Sequence, residues 1–255
     1  MNIIGIIPAR MGSTRFPGKP MANLLGIPMI GHCYFRSKLS KLLDEVYVAT
    51  CDAEILDYIK SIGGKAIMTK DGHERASDRT AEALLKIELN TDKKYDIVLM
   101  IQGDEPMLTP KMIDQSLQPL IHDSNILVSN LMTELKSVAE HADPNEVKVV
   151  IDKDNFALYF SREPIPSRKM GTENPKMLKQ VCLISFRRNF LLEYIKMEQT
   201  LLEKTESVDM MRVLENGLKV KMIHTSENTY AVDTTTDLKK VEENMANDKL
   251  LKEYL

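Results

Sequence analysis

The chain has 255 residues, 43% of them apolar and 28% charged, a globular composition that excludes a fibre or a disordered tail. Its formal charge is −3, from 34 basic and 37 acidic residues with no long basic block, so it lacks the concentrated positive face of a non-specific nucleic-acid binder. The longest apolar runs fall far short of the ~20 residues that a membrane span requires.

The N-terminal residues carry no basic leader and no cleavage site, so no signal peptide is expected. Cys33, Cys51 and Cys182 are widely spaced, with no CxxC pair; they read as reduced packing residues of a cytoplasmic protein. Short apolar runs predict strands at 3–7, 46–49, 66–68, 97–101, 126–131, 147–151, 181–186 and 220–223. Helical patterns lie at 28–39, 53–62, 77–89, 110–121, 189–197, 207–216 and 235–251. Gly63-Gly64 suits the left-handed cap of the second helix, and Thr234-Thr235-Thr236-Asp237 offers N-cap chemistry to the last. Segments 3–7 and 97–101 are apolar at nearly every position, the mark of strands covered on both faces. The expected fold is therefore α/β: a doubly wound, mostly parallel sheet flanked by helices, one domain over 1–255. A small excursion near 152–187 interrupts the rhythm, with a turn at 152–155, a strand at 156–160 and a proline-broken basic loop at 163–169.

Ligands of open α/β sheets sit at the carboxyl ends of the parallel strands, so the residues after each buried strand matter most. After the first comes Pro8-Ala9-Arg10-Met11-Gly12-Ser13-Thr14-Arg15-Phe16-Pro17-Gly18-Lys19-Pro20. Two glycines, several cations and two hydroxyls there suit a polyphosphate. It is not a Walker A loop: five residues separate the glycines, and Pro20 stands where the Mg²⁺-binding hydroxyl would follow Lys19. After 97–101 comes Gln102-Gly103-Asp104-Glu105-Pro106, whose acids suit Mg²⁺, a hard cation needing few protein ligands. A solvated turn is the plain alternative for that segment. Asp233 is a further carboxylate at a strand exit, its alternative role being the N-cap of the last helix. His73, Arg75, Ser77, Asp78 and Arg79 form a polar cluster opening the third helix; capping explains Ser77 and Asp78 but not Arg79. The five histidines show no zinc spacing, and neither GxSxG nor GxGxxG occurs. A phosphate loop and two acids at separate strand ends favour a metal-dependent nucleotide site.

The loop 7–20 resembles the signature of the CMP-Kdo synthetases, the 3-deoxy-manno-octulosonate cytidylyltransferases. Residues 102–106, 144–150, 157–162 and 232–234 continue the similarity in family order, over about 2–245. The resemblance implies a Rossmann-like nucleotidyltransferase, usually a homodimer, that uses CTP and Mg²⁺ to activate a sugar acid for lipopolysaccharide or capsule assembly, releasing pyrophosphate. It places Arg10, Arg15 and Lys19 on the phosphates and Asp104 and Asp233 on the metal. Pro8, Ala9, Gly12, Ser13, His73, Arg75, Ser77, Gln102 and Gly103 complete the nucleotide side. Arg79, Gln102, Arg162, Gln180, Glu206 and Asp209 fall toward the acidic acceptor. A second Mg²⁺, held mainly by the triphosphate, is also expected.

The acceptor half departs from the family pattern. A stretch like "RHLGIYGYR" is replaced by Lys179–Arg187, so the customary His becomes Gln180, a Gly becomes Cys182 and a Tyr becomes Ile184. "GTER" becomes Ala76-Ser77-Asp78-Arg79, and Met210 replaces a glutamine. A site that bonds a hydroxyl discriminates strongly, so altered polar handles lead to the expectation of a divergent acceptor pocket. Kdo, an amino-substituted Kdo, another sugar acid and a phosphonate are the acceptors weighed. A non-catalytic nucleotide binder and a cytidylyl- or uridylyltransferase acting on a sugar phosphate are the competing classes.

Overall fold

The computed structural model describes residues 1–12, 16–169, 175–228 and 230–255. The chain forms two compact units, one from Met1–Asp114 with Asn228–Leu255 and the other from Gln115–Glu227.

The first unit begins with β1 (Ile3–Ala9), a small hairpin of β2 (Asn23–Leu24) and β3 (Ile27–Pro28), and α1 (Met29–Lys38). It continues with β4 (Glu45–Thr50), α2 (Ala53–Ser61), β5 (Ala66–Met68), α3 (Ala76–Thr91) and β6 (Ile97–Ile101). β1 pairs in parallel with β4 and β6, and β4 pairs in parallel with β5, so the strand order is β5-β4-β1-β6. Every residue of β6 is buried, and Ile4, Ile6 and Ile7 of β1 have no exposed area. Two-faced burial is what the unbroken apolar runs predict: α1 and α3 pack on β1 and β4, and α2 packs on β4 and β5. Gly63 follows α2 with φ 72°, the left-handed cap expected there.

α4 (Pro110–His122) leads into the second unit: β7 (Val128–Glu134), α5 (Val138–Ala142), β8 (Lys148–Ile151), β9 (Ala157–Ser161) and β10 (Leu178–Arg187). It ends with α6 (Arg188–Tyr194), α7 (Leu201–Glu206), α8 (Met210–Glu215) and β11 (Lys221–His224). β7 lies between β11, parallel to it, and β10, antiparallel. The expected excursion is the antiparallel β8–β9 hairpin, whose turn is held by Asp152 Oδ1 accepting from the main chain of Asp154 and Phe156. β8 also pairs with β10. The α/β class with helices flanking mostly parallel strands is thus borne out, the antiparallel pairs lying in the second unit and in the β2–β3 hairpin.

Three local expectations change. The helix read over 207–216 is α8, which starts only at Met210; Ser207, with φ 53°, is the C-cap of α7, a helix that was not expected. The last helix, α9 (Thr235–Met245), stops short of 251; a separate 3-10 turn, Lys249–Glu253, follows, with Asp248 capping Leu250 N. α3 starts at Ala76 with Arg75 at the cap position, so Ser77 and Asp78 lie inside its first turn.

Candidate active site

The site is built where β1 and β6 of the first unit end. Past Ala9 the chain turns back through Gly18, whose φ of 73° belongs to the left-handed region that glycine tolerates. Its N–H donates to Met11 O at 3.1 Å, and Met11 N donates to Asp52 Oδ2 at 2.8 Å, fixing both sides of the loop. Asp52, at the exit of β4, is a supporting residue that sequence reasoning missed, although its place one strand over was the available signal. Past Ile101, Gly103 lies so close to β1 that a Cβ there would meet Pro8 O at 3.1 Å and Ile30 Cδ1 at 3.3 Å. Glycine therefore lets the two strand exits touch. Asp104 O then accepts from Val232 N at 2.9 Å, bringing the third segment in. The cap of α9 is Thr234, reciprocally bonded with Asp237, so the capping role weighed for Asp233 belongs to its neighbour.

These contacts gather residues far apart in sequence. Lys19 Nζ donates to Asp104 Oδ2 at 2.7 Å and to Val232 O at 2.8 Å, and lies 3.5 Å from Asp233 Oδ1. The Lys19 side chain is 12% exposed, and those of Asp104 and Asp233 are 30% and 32% exposed. Lys19 and Asp104 also line a cavity of about 350 Å³ with Pro8, Ala9, Arg10, Gly12, His73, Arg75, Arg79, Gln102 and Gly103. Every nucleotide-side candidate among the described residues lines it except Ser77, which is buried within the first turn of α3. Ser13 and Arg15 lie outside the described residues. Pro20, Glu74 and Ala76 complete the lining and were not anticipated.

Three arginines and a lysine against Glu74 and Asp104 make the cavity wall cationic. The N-terminus of α3, a 16-residue helix, adds its dipole there, and its cap Arg75 makes no side-chain capping bond. Arg79 is 3% exposed; its Nη1 donates to Thr69 Oγ1 at 2.6 Å and to Lys70 O at 3.2 Å. Its buried Nη2 has no hydrogen-bond partner among the described residues, a donor suited to an anion. His73 pairs with Glu82. Burial alone would raise the Glu82 carboxyl, but hydrogen bonds from Lys86, His73 and Lys70 N outweigh it and hold the pKa at about 2.

The carboxylate pair suits a divalent cation. Asp104 and Asp233 already stabilise one positive charge between them, and two hard oxygens are what Mg²⁺ commonly takes from protein, with phosphates and water supplying the rest. No group of three or more His, Cys, Asp or Glu among the described residues could hold a metal alone. A cation at this pair would thus need the substrate's oxygens.

The other acceptor-side candidates belong to the second unit. Arg162 and Glu206 come together: the Glu206 carboxylate accepts from Tyr159 OH, Ser161 Oγ and Arg162 N, at 3.1, 3.1 and 2.8 Å. The Arg162 guanidinium clamps main chain, donating to Glu206 O at 2.7 Å and Pro144 O at 2.8 Å. Gln180, on β10, donates to Asn130 Oδ1 at 2.5 Å, and Asp209 precedes α8 with its carbonyl accepting from Tyr194 OH at 2.9 Å.

Comparison with known proteins tests the resemblance directly. A family model described as cytidylyltransferase matches residues 4–250. The chain is 41% identical to the 3-deoxy-manno-octulosonate cytidylyltransferase of Trichlorobacter lovleyi, over 96% of this chain and 99% of that one. It is 40% identical to the mitochondrial 3-deoxy-manno-octulosonate cytidylyltransferase of Arabidopsis thaliana, over 94% and 82% of the two chains. A solved CMP:2-keto-3-deoxy-manno-octonic acid synthetase, complexed with CTP, superposes with a TM-score of 0.89 at 37% identity, covering 96% of this chain and 99% of that one. The 4-diphosphocytidyl-2C-methyl-D-erythritol synthase of Anaerococcus prevotii, at 16% identity and a TM-score of 0.64 over 96% of each chain, shares the fold. The matched residues include Gln180, Cys182 and Ile184, and the comparisons give these substitutions no acceptor of their own. The chain therefore belongs to the cytidylyltransferase family, among the 3-deoxy-manno-octulosonate cytidylyltransferases.

Proposed function

We propose that the protein transfers CMP from CTP to 3-deoxy-manno-octulosonate, releasing pyrophosphate. The observation that carries this reading is the Lys19 ammonium held between Asp104 and Asp233 in a cation-lined cavity at the strand exits. The names of the relatives supply the acceptor. One nucleotidyltransferase domain over 1–255, acting in the cytoplasm as a homodimer, completes the proposal.

The chemistry joins two anions. CTP carries about four negative charges and the acceptor a carboxylate, so the chief task is to offset repulsion and align the acceptor hydroxyl with the α-phosphorus. Arg10, Arg75 and the first turn of α3 meet the triphosphate, and Arg79 offers its unpaired Nη2 to an anionic oxygen. Lys19 stabilises charge that grows on the departing pyrophosphate. Asp104 and Asp233 would hold a divalent cation, Mg²⁺ in our reading, which when bound offsets phosphate charge and acidifies the acceptor hydroxyl. Arg162, Gln180, Glu206 and Asp209 serve the acceptor.

The test is pyrophosphate release with CTP and Mg²⁺ against a panel of acids: Kdo, an amino-substituted Kdo and a phosphonate. Kdo is expected to be consumed fastest, with CTP preferred to UTP. Asp104→Ala and Asp233→Ala are expected to lose more than ~10²-fold in rate, about 2.7 kcal/mol. Near-normal turnover in either variant would remove the carboxylate assignment. Tight CTP binding with no pyrophosphate from any acid would favour a non-catalytic binder.

A further inference from the structure

A second buried polar cluster in the first unit is not used by cytidylyl transfer as described above. Arg36, on α1, has no exposed side-chain area. Its Nη2 donates to Asp248 Oδ2 at 2.5 Å and its Nε to Tyr254 OH at 3.1 Å. Its Nη1 faces Met107 O at 3.4 Å and Leu108 O at 3.5 Å. His32 lies one turn earlier on the same face of α1 and is fully buried. Its Nε2 is 2.7 Å from Leu24 O, which can only accept, so the ring proton sits on Nε2 and Nδ1 accepts from Tyr254 OH at 2.8 Å. The tyrosine hydroxyl thus receives from Arg36 and donates to His32, while the Tyr254 ring stacks on Phe35 at 5.6 Å. Burial lowers the pKa of His32, which favours the neutral ring that this chain of donors uses.

The two segments joined here are those that carry the carboxylates. Met107 and Leu108 follow Asp104 by three and four residues. Asp248 and Tyr254 lie beyond the far end of α9, whose cap Thr234 directly follows Asp233. Over its 11 residues, about 16 Å of helix, α9 acts as a rigid arm with Asp233 at one end and the Arg36 clamp beyond the other. Val241 and Met245 seat the arm on Leu24, Met29 and Val232.

We propose that Arg36, with Tyr254 and Asp248, is a positioning residue that sets the separation of Asp104 and Asp233 from behind. The inference rests on reading those two aspartates as the seat of a divalent cation. Mg²⁺ needs near-octahedral oxygens at about 2.0–2.1 Å, so a fraction of an ångström of play between the two segments weakens its binding before it weakens the fold.

The experiment uses the full chain and the variants Tyr254→Phe and Asp248→Asn, which keep the buried guanidinium. Ile55→Val, in the core of the same unit, serves as a stability control and Asp104→Ala as a site control. The Mg²⁺ midpoint of turnover is measured at saturating CTP and Kdo, and hydrogen exchange of residues 103–108 and 232–245 is measured without ligand. The clamp variants are expected to raise the midpoint about tenfold, the lower end of the range for groups that orient metal ligands. Their turnover at saturating Mg²⁺ should stay within about threefold of the parent, and 232–245 should exchange faster. Ile55→Val should lower the melting temperature without moving the midpoint. An unchanged midpoint in both clamp variants, or an equal shift in Ile55→Val, overturns the proposal. A parent-like midpoint in Asp104→Ala instead overturns the underlying cation-site reading, whatever the clamp variants do.

Discussion

Replacing Lys19 by methionine separates catalysis from folding at this site. The ammonium contacts Asp104 Oδ2, Val232 O and Asp233 Oδ1, so all three of its N–H groups are engaged. Methionine keeps most of the stem and removes the charge. Because the two carboxylates are about a third exposed, water takes up much of their lost pairing. The stability cost is then set mainly by the lost charged hydrogen bonds, about 1–3 kcal/mol, which a domain stable by about 5–15 kcal/mol survives. The rate should suffer more: losing one preorganised charge stabiliser typically costs about 10²–10³-fold, or about 2.7–4 kcal/mol. Pyrophosphate release at saturating CTP, Kdo and Mg²⁺ reads the rate, and thermal unfolding reads the stability. Turnover within about tenfold of the parent in a folded variant would refute the reasoning.

Two further perturbations probe other links of the structure. Glu203 and Arg212 form a bidentate pair, 2.7 and 2.6 Å, with the glutamate fully buried and the arginine 3% exposed over the Tyr194 ring. Glu203→Ala strands a buried guanidinium and should cost about 3–5 kcal/mol in a denaturant titration; a loss below about 1 kcal/mol would show that the pair is not sealed from water. The Glu82 carboxyl titrates at about 2 in the folded chain, below its ordinary 4.5, so the unfolded chain takes up the proton first. Its stabilisation is complete above about pH 4.5 and is lost as pH falls toward 2. The stability gap between parent and Glu82→Gln, measured by unfolding across pH, should be flat above 5 and close between about 4.5 and 2; a gap independent of pH would remove the assigned hydrogen bonds.

Local patterns reveal some parts of this protein and hide others. The Thr200-Leu201-Leu202-Glu203 stretch is a capping box and opens α7, a helix absent from the expected elements although its signal lies in four consecutive residues. Ser77 shows the reverse case. Its residue type suits a cap, but α3 begins one residue earlier and draws it into the buried first turn. The early end of α9 is a tertiary effect as well: Asp248 is committed to the Arg36 guanidinium and to capping the turn that follows.

Local residue patterns were enough for the class of fold and for the kinds of side chain that stand at the strand exits. Strands buried on both faces must be apolar throughout, and groups that meet phosphate and cations must be basic, acidic or glycine wherever they stand. The tertiary structure alone decided that Lys19 meets Asp104 across 85 residues of chain and Asp233 across 214. That meeting depends on Gly103 letting β6 close on β1 and on Val232 pairing with Asp104, steps made only when distant segments pack and therefore unmarked in any local stretch of residues.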